Sequence, residues 1–196
     1  MKRDKCILTV LLLVMYTGVL SAQYKERIGI KTNTLSDITL SPNIDMNFYP
    51  GENVLFSIGG SYGWWGFDRD TKNAFQKWQV NAEVQYYTRK DSLFTGHHFG
   101  LGVQSGQFDV RWNNKDPQRG HFATAGLIYG YTWKLSDHFY LDAGLGVGYI
   151  YTFYHKYVYS PEYGHYCCIN HPTKHGIGLT NLNLSLIYRF KKGGKR

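Results

Sequence analysis

Residues 155–175, HKYVYSPEYGHYCCINHPTKH, bring together His155, His165, Cys167, Cys168, His171 and His175, the densest cluster of potential metal ligands in the chain. Imidazole and thiolate at such separations suit a tetrahedral zinc or a copper site, with His165, Cys167, His171 and His175 as the candidate ligand set. Against a metal stands the adjacency of the two cysteines, which hinders both from reaching one ion. In an exported protein a disulfide competes as well, either a vicinal one or one made with another chain. A structural or incidental loop is the reading favoured over a metal site.

The second group with chemical potential is charged. Lys31, Asp45, Glu83, Asp142 and Arg189 each fall on the polar face of a segment that alternates between polar and apolar residues. If those faces turn inward together, the charges must pair or each costs several kcal/mol, at about that order per ion. The expected outcome is a plug of ion pairs in which Glu83 and Asp142 neutralise Lys31 and Arg189, rather than an ion path or a proton relay. Two Ser, His and Asp pairings complete the inventory: His98 with Ser105, and His121 with Asp109. Nucleophilic catalysis needs nucleophile, base and an orienting third group on one side of the backbone. Alternation puts His98 and Ser105 on opposite faces, and neither pair has a third group. No catalytic residue, no enzyme activity and no cofactor are expected.

The elements that must hold these groups follow from a period of two. LDAGLGVGYIYT, Leu141 to Thr152, carries Leu141, Ala143, Leu145, Val147, Tyr149 and Tyr151 on one face, and Asp142, Gly144, Gly146, Gly148 and Ile150 on the other. The same pattern runs through residues 28–31, 43–48, 54–63, 78–86, 98–104, 123–133 and 181–190, which gives eight strands. Eight amphipathic strands, an even number, are what the smallest single-chain transmembrane barrels use. The expected fold is therefore all-β: an eight-stranded antiparallel up-and-down transmembrane barrel. Its greasy faces meet lipid, and glycines crowd the inner face because so narrow a barrel has little room. A secreted β-sandwich or lipocalin-like barrel is the rival, with its greasy faces turned inward.

Aromatic residues near strand ends, among them Tyr62, Trp64, Trp65, Trp78, Tyr131, Trp133, Tyr151, Tyr188 and Phe190, suit girdles at two membrane interfaces. Short turns are expected at Tyr49–Asn53, Thr88–Gly96 and Lys134–His138, on the periplasmic side. Longer external loops are expected at Gly66–Gln76, Phe108–Gly120 and Phe153–Gly178, with a short one around Leu35–Ser41.

The ends agree with an envelope protein. Residues 1–22 have a basic start, an apolar run from Ile7 to Leu20 and small residues at Ser21-Ala22, the pattern of a cleaved secretory signal peptide. The barrel domain is then 23–196, exported to the bacterial outer membrane. Removing Lys2, Arg3, Asp4 and Lys5 lowers the formal charge from +8 to +6. Part of the remainder lies in the terminal KKGGKR, a solvated tail rather than a nucleic-acid patch.

Several short motifs occur in order: Lys31-Thr32-Asn33, Ser41-Pro42-Asn43, Gly60-Ser61-Tyr62-Gly63-Trp64-Trp65, residues 78–87 (WQVNAEVQYY) and Gly96-His97-His98-Phe99-Gly100. Through them the chain resembles the domain of unknown function 3575 family across most of its mature length. The family's fourth strand is usually of Pro-Glu-Val-Arg-Tyr-Trp type; this chain departs from it while keeping Glu83. The resemblance implies an outer-membrane β-barrel of an anaerobic gut-type bacterium and carries over no catalytic residue. The function expected is structural, adhesive or surface-assembly, fimbria-associated in kind, exerted through the external loops. Its partners would be outer-membrane lipid and an extracellular or fimbrial protein, not nucleic acid. An outer-membrane lipid-modifying enzyme of the small-barrel type is the alternative.

Overall fold

The computed structural model describes residues 28–67, 73–89, 93–111, 118–160, 165–170 and 172–190, and for residues 66–67, 73–74, 156–160 and 165–170 the backbone alone. The expected signal peptide, residues 1–22, lies outside the described residues. The strands are β1 (Ile28–Asn33), β2 (Asn43–Phe48), β3 (Val54–Phe67), β4 (Asn73–Tyr87), β5 (Gly96–Arg111), β6 (Gln118–Lys134), β7 (Phe139–Ser160), β8 (His165–Asn170) and β9 (Thr173–Arg189). One short helix, α1 (Thr34–Ile38), joins β1 to β2.

Each strand from β2 to β8 pairs antiparallel with the one before it, β9 pairs with β7 as β8 does, and β9 returns to β1 in the register Lys31↔Ile187. The sheet is thus a closed meander. It has eight staves, because β8 and β9 together form the last one: Phe153↔Thr173 and Lys156↔Asn170 continue a single register on β7. Pro172, which has no N–H to give a ladder, stands between the two pieces.

Side chains alternate across this wall with inverted polarity. Leu127 is 70% exposed on the outside, whereas Lys31, at 3%, and Glu83, at 7%, are buried within. A water-soluble barrel would show the reverse. The inner glycines have a geometric cause: a Cβ on Gly130 would lie 2.5 Å from His98 Nε2, on Gly126 2.5 Å from Thr180 Oγ1, and on Gly102 2.6 Å from Ile128 Cδ1. His98 and Ile128 thus lie over glycines of the adjacent strand, and Thr180 reaches over a glycine two staves away.

Four loop expectations need correction. The connection expected as the short first external loop, Leu35–Ser41, is not a plain loop, since α1 forms there, with Asn33 Oδ1 accepting from Leu35 N at 3.1 Å as its N-cap. The segment Phe153–Gly178 is no long loop either: it contains the outer part of β7, all of β8 and the start of β9. The expected loops Gly66–Gln76 and Phe108–Gly120 likewise shrink, because β3 runs on to Phe67, β4 begins at Asn73, β5 reaches Arg111 and β6 begins at Gln118. At one end of the barrel the staves extend into long hairpins; at the other they close in short turns.

Candidate functional site

The barrel interior has three levels. At the short-turn end an apolar floor closes the lumen. Tyr49, Leu55, Tyr87 and Phe94 are buried together there, with Phe94 against Tyr49 at 4.6 Å and against Tyr87 at 5.3 Å between ring centroids. Phe94 reaches this position from the β4–β5 turn with φ at 52°, a left-handed conformation that costs a non-glycine residue about 1 kcal/mol or more. Burial of its ring offsets that cost. The Arg189 guanidinium lies 4.4 Å from the Tyr49 ring, 5.0 Å from Tyr140 and 5.1 Å from Phe94, and its Nη1 donates to Leu93 O at 2.6 Å. Arg189 is thus the cation of an aromatic floor, well suited to a delocalised guanidinium.

Above the floor runs a chain of buried polar contacts. Thr132 Oγ1 donates to Asp142 Oδ1 at 2.7 Å, Asn183 Nδ2 donates to Asp142 Oδ2 at 3.3 Å, and His98 Nε2 lies 3.6 Å from Asp142 Oδ1. Tyr87 OH meets Thr132 Oγ1 at 3.1 Å and donates to Gln85 Oε1 at 3.5 Å, and Gln85 Nε2 donates to Glu83 Oε2 at 3.0 Å. Glu83 also accepts from Lys31 Nζ at 3.2 Å and from Asn181 Nδ2 at 2.8 Å, while Asp45 stands 3.6 Å from Lys31 Nζ and accepts from Asn81 Nδ2 at 3.0 Å.

The five charges expected inside therefore divide. Lys31, Asp45 and Glu83 meet in one cluster, Asp142 sits in a second with Thr132, Asn183 and His98, and Arg189 packs into the floor. The expected match of Asp142 with Arg189 is replaced by these two separate environments.

The third level is a polar well of about 190 Å³ between the Lys31 cluster and the long-hairpin end. Its wall includes Gln79, Asn81, Gln104, Asn183 and Ser185, with Ser36 of α1 and Lys77 toward the hairpins. The helix is fixed over this side by Asp37, which accepts from Thr32 Oγ1 at 2.7 Å and from Asn43 Nδ2 at 3.0 Å.

Part of the wall was not legible in the strand pattern. Between Gly146↔Asn181 and Val147↔Leu179 the register shifts, so that Thr180 is an extra residue in β9. The bulge places Thr180 O where Gln104 Nε2 donates to it at 3.1 Å across the lumen. The outward residues change parity there, from Ile177 and Leu179 to Leu182 and Leu184, and that change is the sequence signal for it.

The other candidates are dispersed. His98 is fully buried inside, while Ser105 is exposed on the outer face, so the wall separates them. Asp109 pairs across to Arg119, and His121 to Gln107; among the described residues no hydrogen bond joins Asp109 to His121. In the possible metal cluster, His171 and the side chains of His165 and Cys167 lie outside the described residues, as does that of Cys168. His175 is exposed on β9, its ring 5.9 Å from Tyr149. Among the described residues no three His, Cys, Asp or Glu side chains converge as a metal site would require.

Such an interior defines a small closed barrel whose lumen is packed at one end and mainly polar in its middle. The chain belongs to the family described as Protein of unknown function (DUF3575), whose model matches residues 7–190. No curated protein and no solved structure matches it.

Proposed function

We propose that this chain is an outer-membrane barrel with a structural, adhesive or surface-assembly role, fimbria-associated in kind, exerted through the hairpins at its long end. Strand length carries the reading. A tilted strand crosses a bilayer in about 9–11 residues, whereas β5 has 16, β6 has 17 and β7 has 22. The excess lies at one end, as expected of a surface that projects from the membrane toward a partner protein.

The outward apolar belt supports an anchor in lipid. Rings at the short-turn end add to it: Tyr131 packs on Trp133 at 4.7 Å, and Tyr188 on Phe139 at 5.2 Å and on Phe190 at 5.1 Å, all on the outside of the wall. Aromatic residues of this kind favour the boundary between hydrocarbon and water. The apolar floor argues against a conducting pore.

A deletion strain tests the proposal through its lipid A and its surface binding. Unchanged lipid A with altered adhesion or altered surface assembly is the expected result. Altered lipid A acylation with unchanged adhesion would overturn it in favour of a lipid-modifying enzyme.

A further inference from the structure

We infer that the polar well binds a single sugar ring carrying one anionic group. This inference goes beyond the surface role and stands without it, since it concerns only the interior of the barrel. The starting observation is the state of the wall. Asn81, Asn181, Asn183 and Gln104 each use an amide N–H on the barrel itself, toward Asp45, Glu83, Asp142 and Thr180 O respectively. An amide NH₂ has two hydrogens and its carbonyl oxygen two lone pairs, so each of these side chains keeps donor and acceptor capacity after its structural bond is made.

Hydroxyl groups both donate and accept, which matches a wall of amides and a serine better than any purely donating or purely accepting ligand.

Lys77 adds the charge. Its side chain lines the well above the Lys31 cluster, and its contact among the described residues is the Phe122 ring, 5.7 Å from Nζ. Lys31, by contrast, is already held by Glu83 and Asp45. The well therefore presents one cation that no carboxylate among the described residues satisfies and that suits a ligand carboxylate, phosphate or sulfate. Size narrows the class further. At about 190 Å³ the well is below the roughly 300 Å³ at which sites for drug-sized ligands begin. One ring fits that space; a chain of rings would have to project from it toward the hairpins.

Titration calorimetry on the full-length barrel in detergent micelles tests this, with glucuronate, glucose and inorganic phosphate as separate probes. Saturable binding of glucuronate is expected, with glucose and phosphate each weaker. Added salt should weaken glucuronate binding and leave glucose binding unchanged. Lys77→Met should weaken glucuronate binding about tenfold, the size of a charged hydrogen bond, without affecting glucose. Gln104→Leu should weaken both sugars, which keeps the test independent of whether the lysine variant folds. Equal binding by a glucuronate-terminated oligosaccharide would place the source in a glycan end, and binding by the monosaccharide alone would place it in the free acid; either supports the site. Phosphate binding as tight as glucuronate would reduce the well to an anion site and overturn the sugar assignment. No saturable binding of either sugar to a correctly folded barrel would overturn it entirely.

Discussion

Replacing Glu83 by Ala should destabilise the barrel far more than any trimming of its outer face. Glu83 accepts from Lys31 at 3.2 Å, from Gln85 at 3.0 Å and from Asn181 at 2.8 Å, all inside the wall. The substitution leaves these donors without their carboxylate. Breaking a buried ion pair by removing one partner costs about 3–5 kcal/mol. Lys31 would keep Asp45 at 3.6 Å, so the lower end of that range, about 3 kcal/mol, is expected. The control is Leu182→Ala on the outer face of β9. Where lipid covers that face it is as apolar as leucine, and about 0.5 kcal/mol is expected. Urea unfolding of the barrel in lipid vesicles, followed by tryptophan fluorescence and by the faster gel mobility of unboiled folded protein, reads both values. A triple variant, Lys31→Met with Glu83→Leu and Asp45→Asn, should recover part of the loss, because it removes all three buried charges of the cluster together and leaves none without its counter-ion. Equal stability of Glu83→Ala and Leu182→Ala would refute the inward placement of the charge cluster.

Gly130→Val should cost about 1–3 kcal/mol by the same assay, because its Cβ would meet His98 Nε2 at 2.5 Å and Ala143 O at 2.8 Å. His98→Ala should rescue it only in part, since the Ala143 carbonyl remains. Arg189→Ala withdraws the guanidinium from three rings and from Leu93 O, with an expected loss of about 2 kcal/mol in the same unfolding measurement. Protein purified from native membranes should carry no stoichiometric zinc or copper by elemental analysis; one equivalent, lost in His171→Ala, would make the His and Cys segment a metal site.

Strand existence and side-chain direction were legible because the wall imposes them residue by residue. One face is apolar and turned outward and the other lines a narrow interior, so Leu141 through Tyr151 and Asp142 through Gly148 could be sorted by alternation alone. The long hairpins were not legible, for the same physical reason in reverse. Where a ladder runs beyond the barrel, no apolar surface demands alternation, and the outer part of β7 with β8 reads as a polar loop although its backbone pairing continues. The bulge at Thr180 was hidden because a single inserted residue swaps the two faces, and the eighth strand was followed only from Asn181 onward. Alternation turns Arg189 inward, yet its aromatic setting depends on Phe94, which arrives from a turn with a left-handed backbone that no periodicity describes. The well is assembled from Gln79 on β4, Gln104 on β5 and Asn183 on β9, residues far apart in the chain that only closure of the barrel brings around one space.

Labelling of intact cells with a membrane-impermeant maleimide reads out whether the chain is an outer-membrane barrel with its long hairpins outside the cell, as proposed. In a background carrying Cys167→Ser and Cys168→Ser, single cysteines replace Arg119 near the long-hairpin end and Ser136 in the β6–β7 turn, both exposed positions. Arg119→Cys is expected to label in intact cells, and Ser136→Cys only after the envelope is opened. Labelling of Ser136→Cys alone in intact cells would put the short turns outside instead, and labelling of neither position until lysis would show that the barrel is not at the cell surface; either overturns the proposed placement.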